Sequence, residues 1–242
     1  VPQDPFVHLP ELRGDVVPVA ESTMRFTPEV LAERDARMRE MGYAADWRQS
    51  DAAMAQAWGQ LLSNRVGSGD LWVFGYGSLM WDPGFHFAEV RRATVDGYQR
   101  RFAMKVEIMT GSPDRPGLAL TLEQEQGQCA GLAFRIAADR VEAETAILAR
   151  REFVLFNYSV ETATAMTPQG EIAVQLLASD KQDPRYVGGL SRSATAAMIG
   201  AAKGVKGENR AYVAKLAQQL RKLDIADAYV DELATLLDAP SA

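Results

Sequence analysis

Between Leu71 and Ile136 the chain alternates short apolar and β-branched runs with glycine- and proline-rich breaks, and this stretch constrains the fold most. "LWVFG", "EVRRATVDGY", "RRFAMKVEIM", "GLALTLE" and "QCAGLAFRI" each read as a strand; "DPGF", Gly97, "TGSPDRPG" and "QEQGQ" read as the turns and loops between them. Several short strands with such turns in so short a span predict a curled or closed antiparallel sheet. A hairpin follows, with "NYSVETATAM" and "EIAVQLLAS" joined by the turn "TPQG".

Helical patterns flank this strand-rich region. Thr27 suits a cap, Pro28 the first helical position and Gly42 the stop of one helix; Ser50 to Asn64 form a second, with Met54, Trp58, Leu61 and Leu62 on one face. "VGSGD" (Val66 to Asp70) reads as a flexible joint, and the proline-rich first 26 residues as an extended arm lying on something else or as a loose tail. A third helix is predicted from about Asp139 to Phe153, and two or three more fill Ser193 to Asp238, where Tyr212, Leu216, Leu220 and Leu223 recur at helical spacing. The fold class is α+β, with an N-terminal arm and helical extension over 1–70 and the main domain over 71–242.

Charge and composition exclude several functions. The 242 residues carry a formal net charge of −6, which argues against a nucleic-acid partner because phosphate binding needs a basic face. No apolar run is long enough to cross a bilayer, and the first residues show no signal-peptide pattern. The single cysteine, Cys129, reads as inert core; with no internal disulfide available, the reducing cytoplasm is the expected location. Two histidines, His8 and His86, and one cysteine are too few for a zinc site, so no metal is expected.

The stretch "VFGYGSLMW" poses the first chemical question. A buried strand ends in Gly75-Tyr76-Gly77-Ser78 and turns apolar again at Leu79. Glycines there permit positive φ and close approach of a ligand to the main chain, so the stretch is either a tight turn between two pieces of core or a backbone cradle. It has neither the spacing nor the lysine of a P-loop, and it lacks the third glycine of a dinucleotide fingerprint. Glu152 poses the second. On a helical wheel Val141, Thr145, Leu148 and Glu152 share a face, so a carboxylate occupies the place where the apolar stripe should continue. Burial would raise its pKa toward what a general acid/base needs at neutral pH; the alternative is a structural ion pair with Arg151, Arg100 or Arg101. One arginine of each pair, Arg91-Arg92 and Arg100-Arg101, should point inward and seek a carboxylate from the protein or a ligand. Tyr158 and Tyr186 read as core tyrosines with a polar tip.

Taken in order, "VFGYGSLMW", "GYQRRF", "RRE" with a tyrosine six residues on (Tyr158), and "DPRYVGG" resemble the ChaC-like γ-glutamylcyclotransferases over about residues 71–237. The resemblance implies a small mixed β-barrel or curled sheet with flanking helices, and an enzyme that converts glutathione to 5-oxoproline and cysteinylglycine without cofactor or metal. It implies that Glu152 is the acid/base and that Gly75, Tyr76, Gly77, Ser78 and Leu79 hold the γ-glutamyl group through their backbone. Val73, Phe74, Arg100, Tyr158 and Tyr186 complete the expected substrate-binding set. Phe153 and Leu155-Phe156-Asn157 depart from the family pattern and put the substrate range in question. Two alternatives stay open: another γ-glutamyl amide or amine as substrate, or a non-catalytic γ-glutamyl-binding module.

Overall fold

A computed structural model describes residues 4–65 and 69–239. Five strands close a barrel in the order β1-β3-β2-β4-β5: β1 Leu71–Gly75, β2 Glu89–Val106, β3 Gly117–Ile136, β4 Tyr158–Thr167 and β5 Gly170–Ser179. β1 runs antiparallel to β3, from Leu71 opposite Ile136 to Gly75 opposite Leu132. β2 meets β4 antiparallel, with Thr94 opposite Met166. The barrel closes through a parallel pairing of β1 and β5 at Val73 and Gln175, so the sheet is mixed rather than purely antiparallel.

Two expected breaks turn out to be bends. β2 runs straight through Gly97, and β3 runs through the "QEQGQ" stretch expected as a loop. Gly97 takes φ +79° and Gly127 φ +141°, conformations that bend a strand without ending it. The region therefore holds two long strands of 18 and 20 residues where four short ones were expected.

Helix ends follow local chemistry. Helix α1 (Pro28–Glu40) is capped by Thr27, whose Oγ1 accepts from the Val30 N–H at 3.3 Å, and Gly42 follows its end at φ +84°. Helix α2 (Asp51–Ser63) is capped by Ser50 and packs against α3 (Val141–Glu152). Most of the expected joint, Val66–Ser68, lies outside the described residues. The proline-rich arm packs against the rest of its unit, as one of its two readings expects, although turns break its extension. It forms 3₁₀ turns at Pro10–Leu12 and Val19–Glu21 and buries Leu9, Leu12, Val16 and Phe26. Phe6 meets Phe87 edge-on, with ring centroids 5.6 Å apart.

Close packing divides the chain into two units, each drawn from two stretches. The first takes residues up to Asp96 together with Gln128–Ala178; the second takes Gly97–Gly127 together with Ser179 onward. Within the second, helices α4 (Arg192–Ala201) and α5 (Arg210–Lys222) pack on α6 (Ala228–Asp238). Leu216, Leu220 and Leu223 are buried as their spacing predicts. Backbone bonds from Lys105 to Arg185 and from Val187 to Ala103 lay the "RYV" stretch along β2.

Candidate active site

The first unit gathers the turn after β1 and the end of α3. Val73 and Phe74 are buried and anchor the turn, and the Tyr76 hydroxyl donates to the Leu177 carbonyl at 2.9 Å. Ser78–Met80 form a 3₁₀ turn. Met80 returns its N–H to Gly77, and Trp81 and Asp82 return theirs to Ser78. Among the described residues, the N–H groups of Gly77, Ser78 and Leu79 have no backbone acceptor, leaving three donors at one turn.

One part of the expectation for these glycines, a positive φ, is not met. Neither Gly75 nor Gly77 has positive φ. At Gly75 the reason is crowding: an added Cβ would lie 3.0 Å from the Leu79 Cβ and 3.1 Å from the Phe134 ring. The neighbouring strand makes a similar demand, since a Cβ at Gly131 would come within 2.4 Å of the Gly75 carbonyl oxygen.

Helix α3 carries Glu152 at its end. Val141, Thr145 and Leu148 are buried on one face, and the Thr145 hydroxyl accepts from the Trp58 indole N–H at 3.1 Å. Glu152 is the last helical residue on that face, and its side chain keeps 21% exposure while that of Arg151 keeps 1%. Burial pushes the Glu152 carboxyl above the usual glutamate range, and Arg151 pulls against the rise without cancelling it. Its position at the negative end of the helix dipole also disfavours ionisation.

Arg151 ties the two pieces together. Its guanidinium donates to the Ser78 hydroxyl at 2.9 Å and to the Asp82 carbonyl, and its Nε lies 2.7 Å from Glu152 Oε1. The Nε–H is directed off that oxygen, so the contact is an ion pair without a well-aligned hydrogen bond. Of the partners open to Glu152 from sequence, Arg151 is the one it takes. Tyr158, at the start of β4, meets Phe153 at 5.8 Å and Phe156 at 6.2 Å between ring centroids, in an aromatic cluster next to the end of α3.

Arg100 and Tyr186 belong to the second unit. Arg100 is buried and donates to Asp227 at 2.9 Å, so the carboxylate it meets comes from the protein. Tyr186 donates to Glu123 at 3.0 Å; burial first, then this hydrogen bond and the Glu123 charge, push its phenol up to about 12. Its ring lies over Gly188, where a Cβ would be 2.0 Å from the hydroxyl oxygen.

Sequence reading passed over Asp82 and gave Arg151 no role beyond a possible partner for Glu152. A signal for Arg151 existed. It follows Arg150, which lines a surface groove between α1, α2 and α3, and two successive helical residues cannot both face that way.

Comparison with known proteins places this arrangement. The fold is that of the γ-glutamylcyclotransferases. A yeast glutathione-specific enzyme superposes with a TM-score of 0.64 at 20% identity, covering 70% of this chain and 96% of that one. The ChaC-like protein family matches residues 71–239, and the chain belongs to that family. The glutathione-specific γ-glutamylcyclotransferase of Escherichia coli K12 is 31% identical over 173 residues, which span 71% of this chain and 74% of the relative. The human glutathione-specific γ-glutamylcyclotransferase 1 is 32% identical over 173 residues, spanning 70% and 78%.

Proposed function

We propose that this chain is a γ-glutamylcyclotransferase that cleaves glutathione to 5-oxoproline and cysteinylglycine, with Glu152 as its general acid/base. The observation that carries the reading is a desolvated carboxylate with a raised pKa, tied through Arg151 to a turn with three unengaged N–H groups. Its relatives in Escherichia coli and human carry the same activity in their names.

The chemistry follows from the substrate. Glu152, ionised, takes a proton from the α-ammonium of the γ-glutamyl unit. The freed amine attacks the γ-carbonyl carbon of the same unit, forming the lactam C–N bond. Because the nucleophile is held in the substrate itself, positioning supplies much of the rate. The oxyanion that develops is met by the N–H groups of Gly77, Ser78 and Leu79. The bond to the cysteine nitrogen then breaks as protonated Glu152 gives its proton to that nitrogen, and the second proton of the ring nitrogen passes through the freed Glu152 carboxylate to the departing amine, which leaves as an ammonium. Val73, Phe74, Gly75, Tyr76 and Tyr158 shape the surroundings of the γ-glutamyl group. The residues that meet the substrate belong to the domain from residue 71 onward, and residues 1–70 are an extension to that domain. We place the protein in the cytoplasm, where its single cysteine, buried in β3, stays reduced.

Glu152→Gln tests the assignment. The variant should fold and lose 5-oxoproline release by roughly a thousandfold, within the 10²–10⁴ range of a positioned acid/base. Near-normal turnover in that variant would remove Glu152 from the mechanism. A panel of glutathione, γ-glutamyl amino acids and γ-glutamylamines defines the substrate.

A further inference from the structure

The family match begins at residue 71, yet the groups that hold Arg151 are themselves held from much earlier in the chain. Val17 donates its N–H to the Trp81 carbonyl at 2.9 Å. The Ser22 hydroxyl donates to Asp82 Oδ1 at 2.5 Å. Arg25 donates to the Gly84 carbonyl at 3.1 Å and forms an ion pair with Glu144 of α3 at 2.7 Å, and Glu144 also accepts from the His86 N–H at 3.0 Å. Gly84, at φ +70°, lies so close to Met24 that a Cβ would come within 2.7 Å of the Met24 carbonyl oxygen. Residues 17–25 thus lie along the loop Trp81–His86 and fasten it to α3. All of these residues belong to one compact unit.

From these contacts we infer that the N-terminal segment Val17–Arg25 is a positioning element of the active site, and that Ser22, acting through Asp82 and Arg151, fixes Glu152 against the Gly77–Leu79 turn. Asp82 is the joint. Its buried carboxylate takes the Ser22 hydroxyl, its carbonyl takes Arg151, and its N–H returns to Ser78. Among the described residues the Ser22 hydroxyl is the one hydrogen-bond donor to that carboxylate. Removing it leaves a buried carboxylate short of a partner, and the relief that reaches water is a shift of the Asp82 backbone within the loop. That movement carries the carbonyl away from Arg151 and loosens the guanidinium from both Ser78 and Glu152. A reacting group misplaced by a fraction of an ångström slows the chemical step more than it weakens binding.

The inference rests on Glu152 being the acid/base, and the test separates the two. Turnover of glutathione to 5-oxoproline is measured in the full chain for the parent, Ser22→Ala, Ser22→Thr, Arg151→Met and Glu152→Gln, with thermal unfolding recorded for each. Ser22→Ala should lower kcat by about tenfold while KM moves by less than about twofold, the pattern of a positioning loss. Ser22→Thr keeps the hydroxyl and should restore kcat. Arg151→Met should lose more, by about a hundredfold, and Ser22 decides the matter if that variant fails to fold. An unchanged kcat in Ser22→Ala, or an equal loss in Ser22→Thr, overturns the positioning role while an inactive Glu152→Gln leaves the acid/base assignment standing. An active Glu152→Gln, or an inactive parent, overturns both.

Discussion

Three effects meet at the Glu152 carboxyl. Burial raises its pKa, Arg151 lowers it, and the helix terminus opposes ionisation; the net result is a raised value. Two pH dependences follow. The base form starts the reaction, so kcat/KM should fall as pH drops through this raised pKa, above the roughly 4.3 of a free glutamate. A profile whose acid limb lies at the ordinary carboxylate value would contradict the reading. Stability runs the opposite way. In the unfolded chain Glu152 ionises near about 4.3, whereas the folded protein holds the proton to higher pH. Its contribution to stability is therefore fully present below the unfolded pKa and is lost as pH rises through the folded one. The melting-temperature difference between parent and Glu152→Gln should move in favour of the variant across that window and level off above it. Of the residues around this site, Glu152 was legible in the sequence because it breaks an apolar stripe. Ser22 was not, since its hydrogen bond spans sixty positions and nothing around it in sequence marks a partner.

At the scale of elements, the turn after β1 is held by backbones that approach too closely for side chains. Gly131→Ala should destabilise the protein by about 2 kcal/mol, because the new methyl meets the Gly75 carbonyl and the buried Phe74 ring. Gly59→Ala is the matched control. A Cβ there has nothing within 4 Å, so a helical alanine should add about 0.5–1 kcal/mol. Denaturant midpoints of the two variants measure both, and a Gly131→Ala protein as stable as its parent would show that the strand can shift at no cost. Caps at Thr27 and Ser50 and the stripe of α5 were readable because each depends on residues within a turn or two of itself. The bends in β2 and β3 were not. A glycine in a strand pattern reads the same whether the chain turns back or only curls, and the pairing across the barrel decides between them. The parallel closure of β1 on β5 has no local mark at all.

Over the whole molecule, the proline-rich arm is part of the core of its unit. Leu12 is buried with only 1% of its surface exposed, and Arg25 reaches the buried Glu144. Leu12→Ala should cost about 2–4 kcal/mol in equilibrium unfolding, as a large-to-small change in a packed core does. A cost below about 0.5 kcal/mol would mark the arm as an appendage. Its composition gave little warning, since prolines and scattered apolar residues without a period suit a tail as well as a packed strap.

The interleaving of the two units also has a consequence for how the protein is made. The first unit is interrupted by Gly97–Gly127, and its last strand ends near Ala178. During synthesis, then, the arm, α1, α2 and β1 must wait for β5 to leave the ribosome before the barrel can close. A brace that precedes its barrel in sequence cannot complete the fold on its own, and the barrel depends on contacts between residues far apart in sequence, the kind that form slowly.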